Sequence, residues 1–368
     1  MFVLDSSLLY LQRLQSHKIN SSIPITRLLL IQLQDFSYIL TAASRKSWVS
    51  PFATGDNGQN GTPFSLAVTT LKEKNYLYAA NGADGTISGF KIDPATGSLQ
   101  AVPGSPFATN NQAANYSLAI SPDNRFLFVA SDGAALIHVF RISQGTGELR
   151  EVHNGPFQVS TSFSDLNVST NGRFLLAGGS PSGGIFEFQI SKDGTLTEAS
   201  GSPFPASGGV DALATSCSGN LVFAAGFQLI DVFSLGPNGS LTPVPGSPFS
   251  DGQANFDVLL SPDNRFLFSS GGFSQTVAVF AVSPNGSLSP VAGSPFSLPD
   301  FTAGLATTSN GGFLYTALFI SNTVDGERVA PNGILTPAPN TPFITGQHPI
   351  TGLMESVAAF PAPSCSRH

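Results

Sequence analysis

The sequence predicts an all-β ring, a β-propeller of four-stranded antiparallel blades, on three observations. Pro-Phe pairs recur at Pro51-Phe52, Pro106-Phe107, Pro156-Phe157, Pro203-Phe204, Pro248-Phe249, Pro295-Phe296 and Pro342-Phe343, the last four spaced by 45, 47 and 47 residues. A period of that size marks propellers, solenoids and arrays. Each interval holds four short apolar runs separated by Asp, Asn and Gly turns, the grammar of an antiparallel meander. Charged residues are only 11%, beside 38 Gly and 27 Pro, which favours short strands and tight turns over helices. A β-solenoid or paired sandwiches are the alternatives. Solenoid coils are shorter than this repeat, and sandwiches do not recur so regularly.

Taken in chain order, the beginning is unlike the rest. Residues 1–34 read as an atypical N-terminal segment, either a targeting segment or the product of a misassigned start. Met1 to Tyr10 carries Asp5 and neither Lys nor Arg, unlike the basic start of a signal peptide. "LLLIQL" (Leu28–Leu33) is too short to span a bilayer. Residues 35–368 read as one propeller domain closed by strands from both termini. The compartment stays open between periplasmic or extracellular and cytoplasmic.

One unit shows the pattern. "YSLAISP" is a first strand, "DNR" a turn, "FLFVAS" a second strand, "DGA" a turn, "ALIHVFRI" a third strand, "GTG" a turn, and "ELREV" opens a fourth. The turn from third to fourth strand holds Asp193-Gly194, Asn238-Gly239, Asn285-Gly286 and Asn332-Gly333. These dipeptides suggest two-residue hairpins with positive φ. The fourth strand is marked by a leucine seven residues before each proline: Leu99, Leu149, Leu196, Leu241, Leu288 and Leu335. That makes six units.

The ends supply a seventh. Leu40 precedes Pro51 by eleven residues, so "YILTAASRKSWVSPF" is a stretched copy of the outer strand. At the other end "GQHPITGLM" is similar to a first strand and "SVAAF" (Ser356–Phe360) to a third. The expectation is a composite seventh blade, outer strand from the N-terminus and inner strands from the C-terminus. "RLLLIQL" (Arg27–Leu33) is available for a missing strand. A six-bladed ring is the alternative.

"YLYAANGADGTISGFKIDPATGSLQAVPGSPF" (Tyr76–Phe107) resembles the lactonase-like seven-bladed β-propeller family, which includes relatives of 6-phosphogluconolactonase. "SPDNRFLFVAS" (Ser121–Ser131) and "SPDNRFLFSSG" (Ser261–Gly271) resemble strands of that family and of YVTN repeats. The resemblance runs from about Ser65 to Phe343. It implies a seven-bladed ring and a hydrolase acting on a sugar-derived or other small lactone, with His, Arg and Glu gathered at the channel. The slots for such a set read Tyr116-Ser117 and Phe256-Asp257, and Ala130-Ser131 and Ser269-Ser270. No catalytic residue of the family transfers to these positions. A non-catalytic propeller that binds a ligand or a protein, exported or not, is therefore the alternative function.

The chemistry-bearing residues nearest the expected channel are three acids at the starts of first strands: Asp165, Asp211 and Asp257. Asp165 and Asp257 take equivalent slots, and Asp211 falls one residue earlier. Converging carboxylates suit a polar ligand or Ca²⁺, with Asp165 and Asp257 the candidate metal ligands. The simpler role is to accept backbone N–H bonds in their loops. His348 is the candidate catalytic base; His138 and His153 read as structural. No phosphate loop, nucleophile elbow or zinc spacing is present. Six N-x-S/T sequons occur, two of them hairpin turns.

The expected partner is a small molecule or a protein at the channel mouth of a monomer. The net charge of −7 and the scattered basic residues exclude a nucleic-acid partner, and no segment reads as a membrane span. Cys217 and Cys365 fall in a turn of the fourth unit and in the tail. Those places lie across the ring, beyond the ~7 Å Cα separation a disulfide tolerates, so no bridge is expected unless the tail folds back.

Overall fold

The computed structural model describes residues 28–34, 36–39, 63–81, 85–109, 115–131, 135–179, 183–321, 323–344 and 357–359. Its strands form six complete antiparallel blades and a closing one. In blade 2 the strands are Asn115–Ile120, Phe126–Ser131, Leu136–Ile142 and Leu149–Glu151. They pair in that order, and a two-residue strand, Phe157–Gln158, returns to the third. Blades 1, 3, 5 and 6 repeat this plan. Blades 4 and 5 share a nine-stranded sheet, because Phe249–Leu260 runs on from the outer edge of blade 4 into the first strand of blade 5. The six fourth strands begin at Leu99, Leu149, Leu196, Leu241, Leu288 and Leu335, as the repeat spacing requires.

The ring closes with strands from both ends. Phe36–Ile39 pairs with Leu28–Gln34, which pairs with Val357–Ala359. Val357–Ala359 lies beside the first strands of blades 1 and 6, so it is the innermost strand of blade 7. The composite blade is therefore present, and "RLLLIQL", N-terminal to residue 35, supplies its middle strand. "SVAAF" takes the inner position rather than the third: with the N-terminal strands already in the middle and outer places, the inner place is the one left.

Packing explains why every blade is apolar on both faces. Alternate residues of a strand point to opposite faces. In the second strand of blade 2, Phe126, Phe128 and Ala130 pack with Phe163, Leu166, Leu175 and Phe186 of blade 3. Leu127 and Val129 pack the other way, with Tyr76, Tyr78 and Ile87 of blade 1. Similar seams join blades 3 to 4, 4 to 5 and 5 to 6.

Turns lock neighbouring blades together. The third-to-fourth turns are three-residue loops in blades 3 to 6, not two-residue hairpins. In blade 5 the Ser283 N–H bonds to the Ser287 carbonyl and the Gly286 N–H to the Ser283 carbonyl. Only the glycine takes positive φ, +87° at Gly286, as in a type I turn closed by a left-handed residue. A Cβ at Gly239 would fall 2.9 Å from the Phe174 ring of blade 3, and one at Gly147 would fall 2.4 Å from the Tyr76 ring of blade 1. The glycine lets the turns of blades 2, 3, 4 and 6 seat on an aromatic of the preceding blade, and that of blade 5 on Leu221. First-to-second turns open on a buried hydroxyl that accepts the N–H five residues on: Ser121 from Phe126, Ser169 from Phe174, Ser216 from Leu221 and Ser261 from Phe266.

The repeated "GSPF" string is a corner at the blade edge. In blades 1, 3, 4 and 5 its serine hydroxyl accepts an N–H from the middle of the third strand: Gly89, Glu187, Val232 and Val279. The Ser-Pro bond is cis in all four. Blade 2 has Gly155 there, and a Cβ at Gly155 meets nothing nearer than 3.5 Å. Gly155→Ser is accordingly expected to stabilise the protein by about 1 kcal/mol, through the added hydrogen bond and a stiffer unfolded chain. Urea unfolding reads this directly; a midpoint at or below the wild-type value would count against the role given to the corner hydroxyl.

Candidate functional site

Antiparallel order fixes what each face carries. Turns from first to second and from third to fourth strand lie on one face. Loops from second to third strand and from blade to blade lie on the other, around the channel mouth. The first strands line the channel. Those of blades 1, 2, 3, 5 and 6 are irregular near the mouth, with register shifts at Pro63/Ser65, Asn115/Ser117, Phe163/Asp165, Asn255/Asp257 and Thr302/Leu305. Such bulges re-aim a side chain.

The re-aimed residues form a girdle. Ser65 Oγ accepts the Leu118 N–H of blade 2 at 3.1 Å. Ser117 Oγ accepts the Leu166 N–H of blade 3 at 3.0 Å and donates to Asp165 Oδ1 at 2.9 Å. Asp165 Oδ2 accepts the Leu213 N–H of blade 4 at 2.8 Å. Asp257 Oδ2 accepts the Leu305 N–H of blade 6 at 2.7 Å, and its Oδ1 accepts the Val258 N–H at 2.8 Å. Asp165 and Asp257 thus occupy one slot in two blades. Ala212 takes that slot in blade 4, which leaves Asp211 one residue outside it; the Asp211 N–H bonds to the Ala225 carbonyl. His348 lies outside the described residues.

The two carboxyls are crowded on all sides although half-buried toward the channel. Burial pushes Asp165 up to about 6, against the three bonds from Leu213, Ser117 and Leu166 that favour its charge. Asp257 is pushed up to about 7, chiefly by burial and further by the negative charge of Asp165. Both carboxyls therefore keep their protons to a higher pH than free carboxyls do. Both oxygens of each carboxyl already take N–H or O–H donors, and their four oxygens alone fall short of the six to eight that Ca²⁺ takes. Among the described residues, no three His, Cys, Asp or Glu side chains gather as a metal set.

Around this pair the mouth is polar on one side and aromatic on the other. Gln253 is buried, donates to the Ser269 carbonyl at 3.1 Å and accepts from Ser274 and Thr276. Asn255 donates to the Gly226 carbonyl at 2.9 Å. Phe256, Phe273, Phe301 and Phe319 cluster over blades 5 and 6. Among the described residues, neither Lys nor Arg lies in the loops of this face. Arg125, Arg173 and Arg265 sit in turns on the opposite face, where Arg125 binds the Lys192 carbonyl at 2.6 Å and Arg265 that of Pro331.

Three features escaped the sequence reading. Glu187 lies in the third strand of blade 3, where neighbouring blades place Val139, Val232 and Val279. It is fully buried, and neither of its carboxyl oxygens meets a donor. Aligning "GIFEFQI" with "LIHVFRI" would have exposed it. The buried Glu327 of blade 6 was missed in the same way. The third is a correction: Cys217 is disulfide-bonded. The chain's one other cysteine, Cys365, lies outside the described residues. The error was one of radius. The turn bearing Cys217 follows an innermost strand, and Val357–Ala359 is itself innermost, so the distance to span is the channel's width and not the ring's. From Ala359, six residues of chain reach about 20 Å. His138, fully buried and 2.7 Å from Glu151 Oε1, is structural as expected.

Residues 68–214 match the family model described as "Lactonase, 7-bladed beta-propeller". No curated protein matches the chain. Among solved structures, a candidate 6-phosphogluconolactonase from Bacteroides fragilis superposes with a TM-score of 0.73 at 17% identity, covering 93% of this chain and 99% of its own. A periplasmic gluconolactonase from Pseudomonas aeruginosa does so with a TM-score of 0.70 at 19% identity, covering 91% and 99%. A protein of unknown function from Desulfotomaculum acetoxidans gives 0.71 at 14% identity, covering 92% and 99%. At these identities the likeness is one of fold. No helix among the described residues is long and apolar enough to cross a membrane.

Proposed function

We propose, from the premise that the chain is a lactonase-like seven-bladed β-propeller, that it hydrolyses a small lactone at the channel mouth with Asp165 and Asp257. The observation that supports this most is the half-buried carboxyl pair in equivalent slots of the channel wall, raised to about 6 and about 7. A general base works best when its pKa lies near the working pH. Near neutrality the pair holds about one proton, giving one base and one acid, as in other carboxyl pairs. The ionised member takes a proton from water as the water oxygen adds to the lactone carbonyl. The ring C–O bond then breaks, and the protonated member gives its proton to the departing ring oxygen. The product is the open hydroxy acid.

The test is hydrolysis of δ-gluconolactone and other small lactones at pH 7, with and without added Ca²⁺. Asp257→Asn and Asp165→Asn retain a carbonyl oxygen to accept the Leu305 or Leu213 N–H, so the girdle keeps one acceptor. Each variant is expected to lose about 10²–10⁴-fold in kcat/KM. The wild-type rate should fall as pH drops below the apparent pKa values of the pair. Full activity in both variants would overturn the assignment, and wild-type protein inert toward every lactone would favour a binding role for the channel mouth.

A further inference from the structure

We propose that the aromatic cluster over blades 5 and 6 is the binding site for the non-reacting part of the substrate, and that this part is an uncharged aromatic ring. This rests on the lactonase reading above and narrows its substrate class from lactones in general to aryl lactones.

Three rings meet edge to face. Phe256 and Phe301 lie 4.8 Å apart at 71°, Phe273 and Phe301 5.1 Å apart at 84°, and Phe256 and Phe273 5.8 Å apart at 67°. Phe319 extends the group at 5.1 Å from Phe301. Rings packed on edges leave faces open, and Phe273 is 78% and Phe256 43% exposed. Large aromatics exposed together mark a contact surface. Four loops converge to make it: the blade-to-blade segments holding Phe256 and Phe301 and the second-to-third-strand loops holding Phe273 and Phe319. The patch adjoins the candidate chemistry, because Phe256 directly precedes Asp257 in the same strand. A Cβ at Gly272 would lie 2.5 Å from Phe301 and 2.6 Å from Phe256. Glycine there lets the loop close onto both rings.

Charge narrows the occupant. A phosphate or carboxylate on the ligand needs Arg, Lys or a ring of N–H donors. The described loops of this face hold neither Lys nor Arg, but they do hold Asp211, Asp251, Asp257 and Asp300. Asp300 and Asp251 already accept backbone N–H groups, from Ser321 and Phe301 and from Gln253 respectively. Among the described residues of this face an anionic substrate would meet carboxyls and neither Lys nor Arg. A flat, neutral ring finds aromatic faces and edges to stack on. Three or four rings match the footprint of one small aromatic, well short of a standard protein interface.

Binding is probed with coumarin, which does not depend on turnover, and hydrolysis with dihydrocoumarin, δ-gluconolactone and 6-phosphogluconolactone. Calorimetry is expected to show wild-type protein binding coumarin, with Phe273→Ala weakening it about tenfold. Coumarin-3-carboxylate should bind at least tenfold more weakly than coumarin. In kinetics, Phe273→Ala should raise KM for dihydrocoumarin about tenfold, a larger change than for δ-gluconolactone, which carries no aryl group. Phe273 is mostly exposed, so this variant tests the site without threatening the fold.

Equal coumarin affinity in wild type and Phe273→Ala would overturn the proposal, as would preferred turnover of 6-phosphogluconolactone. So would a dimer in light scattering that Phe273→Glu dissolves, because the patch would then be covered by a second copy. If coumarin binding depends on Phe273 while no lactone is hydrolysed, the aryl site stands and the lactonase reading fails. If lactones are hydrolysed without regard to Phe273, the reverse holds.

Discussion

Cys217→Ser is expected to lower the free energy of unfolding by about 2–4 kcal/mol, the usual worth of a disulfide that closes a long loop. The ring has no covalent closure other than this bridge, and the inner strand of its closing blade is only three residues long, Val357–Ala359, held through Leu28, Leu29 and Leu30. A strand so short contributes little on its own. The bridge cross-links the Cys217 turn, whose N–H is held by Asn264 of blade 5 at 2.9 Å. Non-reducing peptide mapping should recover Cys217 joined to Cys365. Guanidinium unfolding should show Cys217→Ser, Cys365→Ser and reduced wild type sharing one midpoint, below that of the oxidised protein. Wild-type protein indifferent to reductant would refute the structural role.

The second large effect is one of pH. Burial pushes Glu187 up to about 7. Below about pH 4.5 the carboxyl is protonated in folded and unfolded chains alike, and the group contributes no pH dependence. Between there and about pH 7 the unfolded chain releases the proton while the folded one keeps it, so stability falls as pH rises. Above pH 7 the full cost is present, at most about 3 kcal/mol and nearer 1–2 after local relaxation. Glu327, raised to about 7 by burial and by the neighbouring Asp325, acts in the same direction. Urea unfolding from pH 5 to pH 8 should therefore show a steady loss of stability. Glu187→Gln cannot titrate, so its curve should be flatter and should cross above the wild type near or beyond neutrality. Parallel curves for the two proteins would show that Glu187 does not carry the effect.

Much of the fold was legible because a propeller repeats its local rules. The leucine seven residues before each Pro-Phe pair begins a strand every time, since one corner geometry recurs at each blade edge. The composite seventh blade was readable as complementary gaps at the two ends, one lacking inner strands and the other lacking outer ones. Turn type was misjudged because a Gly after Asn or Asp suits a two-residue hairpin and a three-residue loop equally well. The register of the flanking strands decides between them, and a dipeptide does not reveal it. "SVAAF" was misplaced because a first and a third strand of a doubly buried sheet have the same apolar pattern.

The candidate site was legible only in part. Asp165 and Asp257 stood out as acids in matched slots of an apolar strand. Their bonds to Leu213 and Leu305 of the next blade could not be read, because the partner lies 48 residues away in both cases. The phenylalanine cluster was invisible for the same reason. Phe256, Phe273, Phe301 and Phe319 look like four of 30 scattered phenylalanines until four loops bring them together.

By itself the sequence determined the strand count per blade and the place where the ring is sealed, and left six or seven blades open, because hydrogen bonding within a blade is local and every copy repeats it. Tertiary structure alone decided which polar groups share the channel, which rings meet at its mouth, and that Cys217 is bridged. Those depend on how near the axis each strand lies, a distance set by packing all seven blades at once.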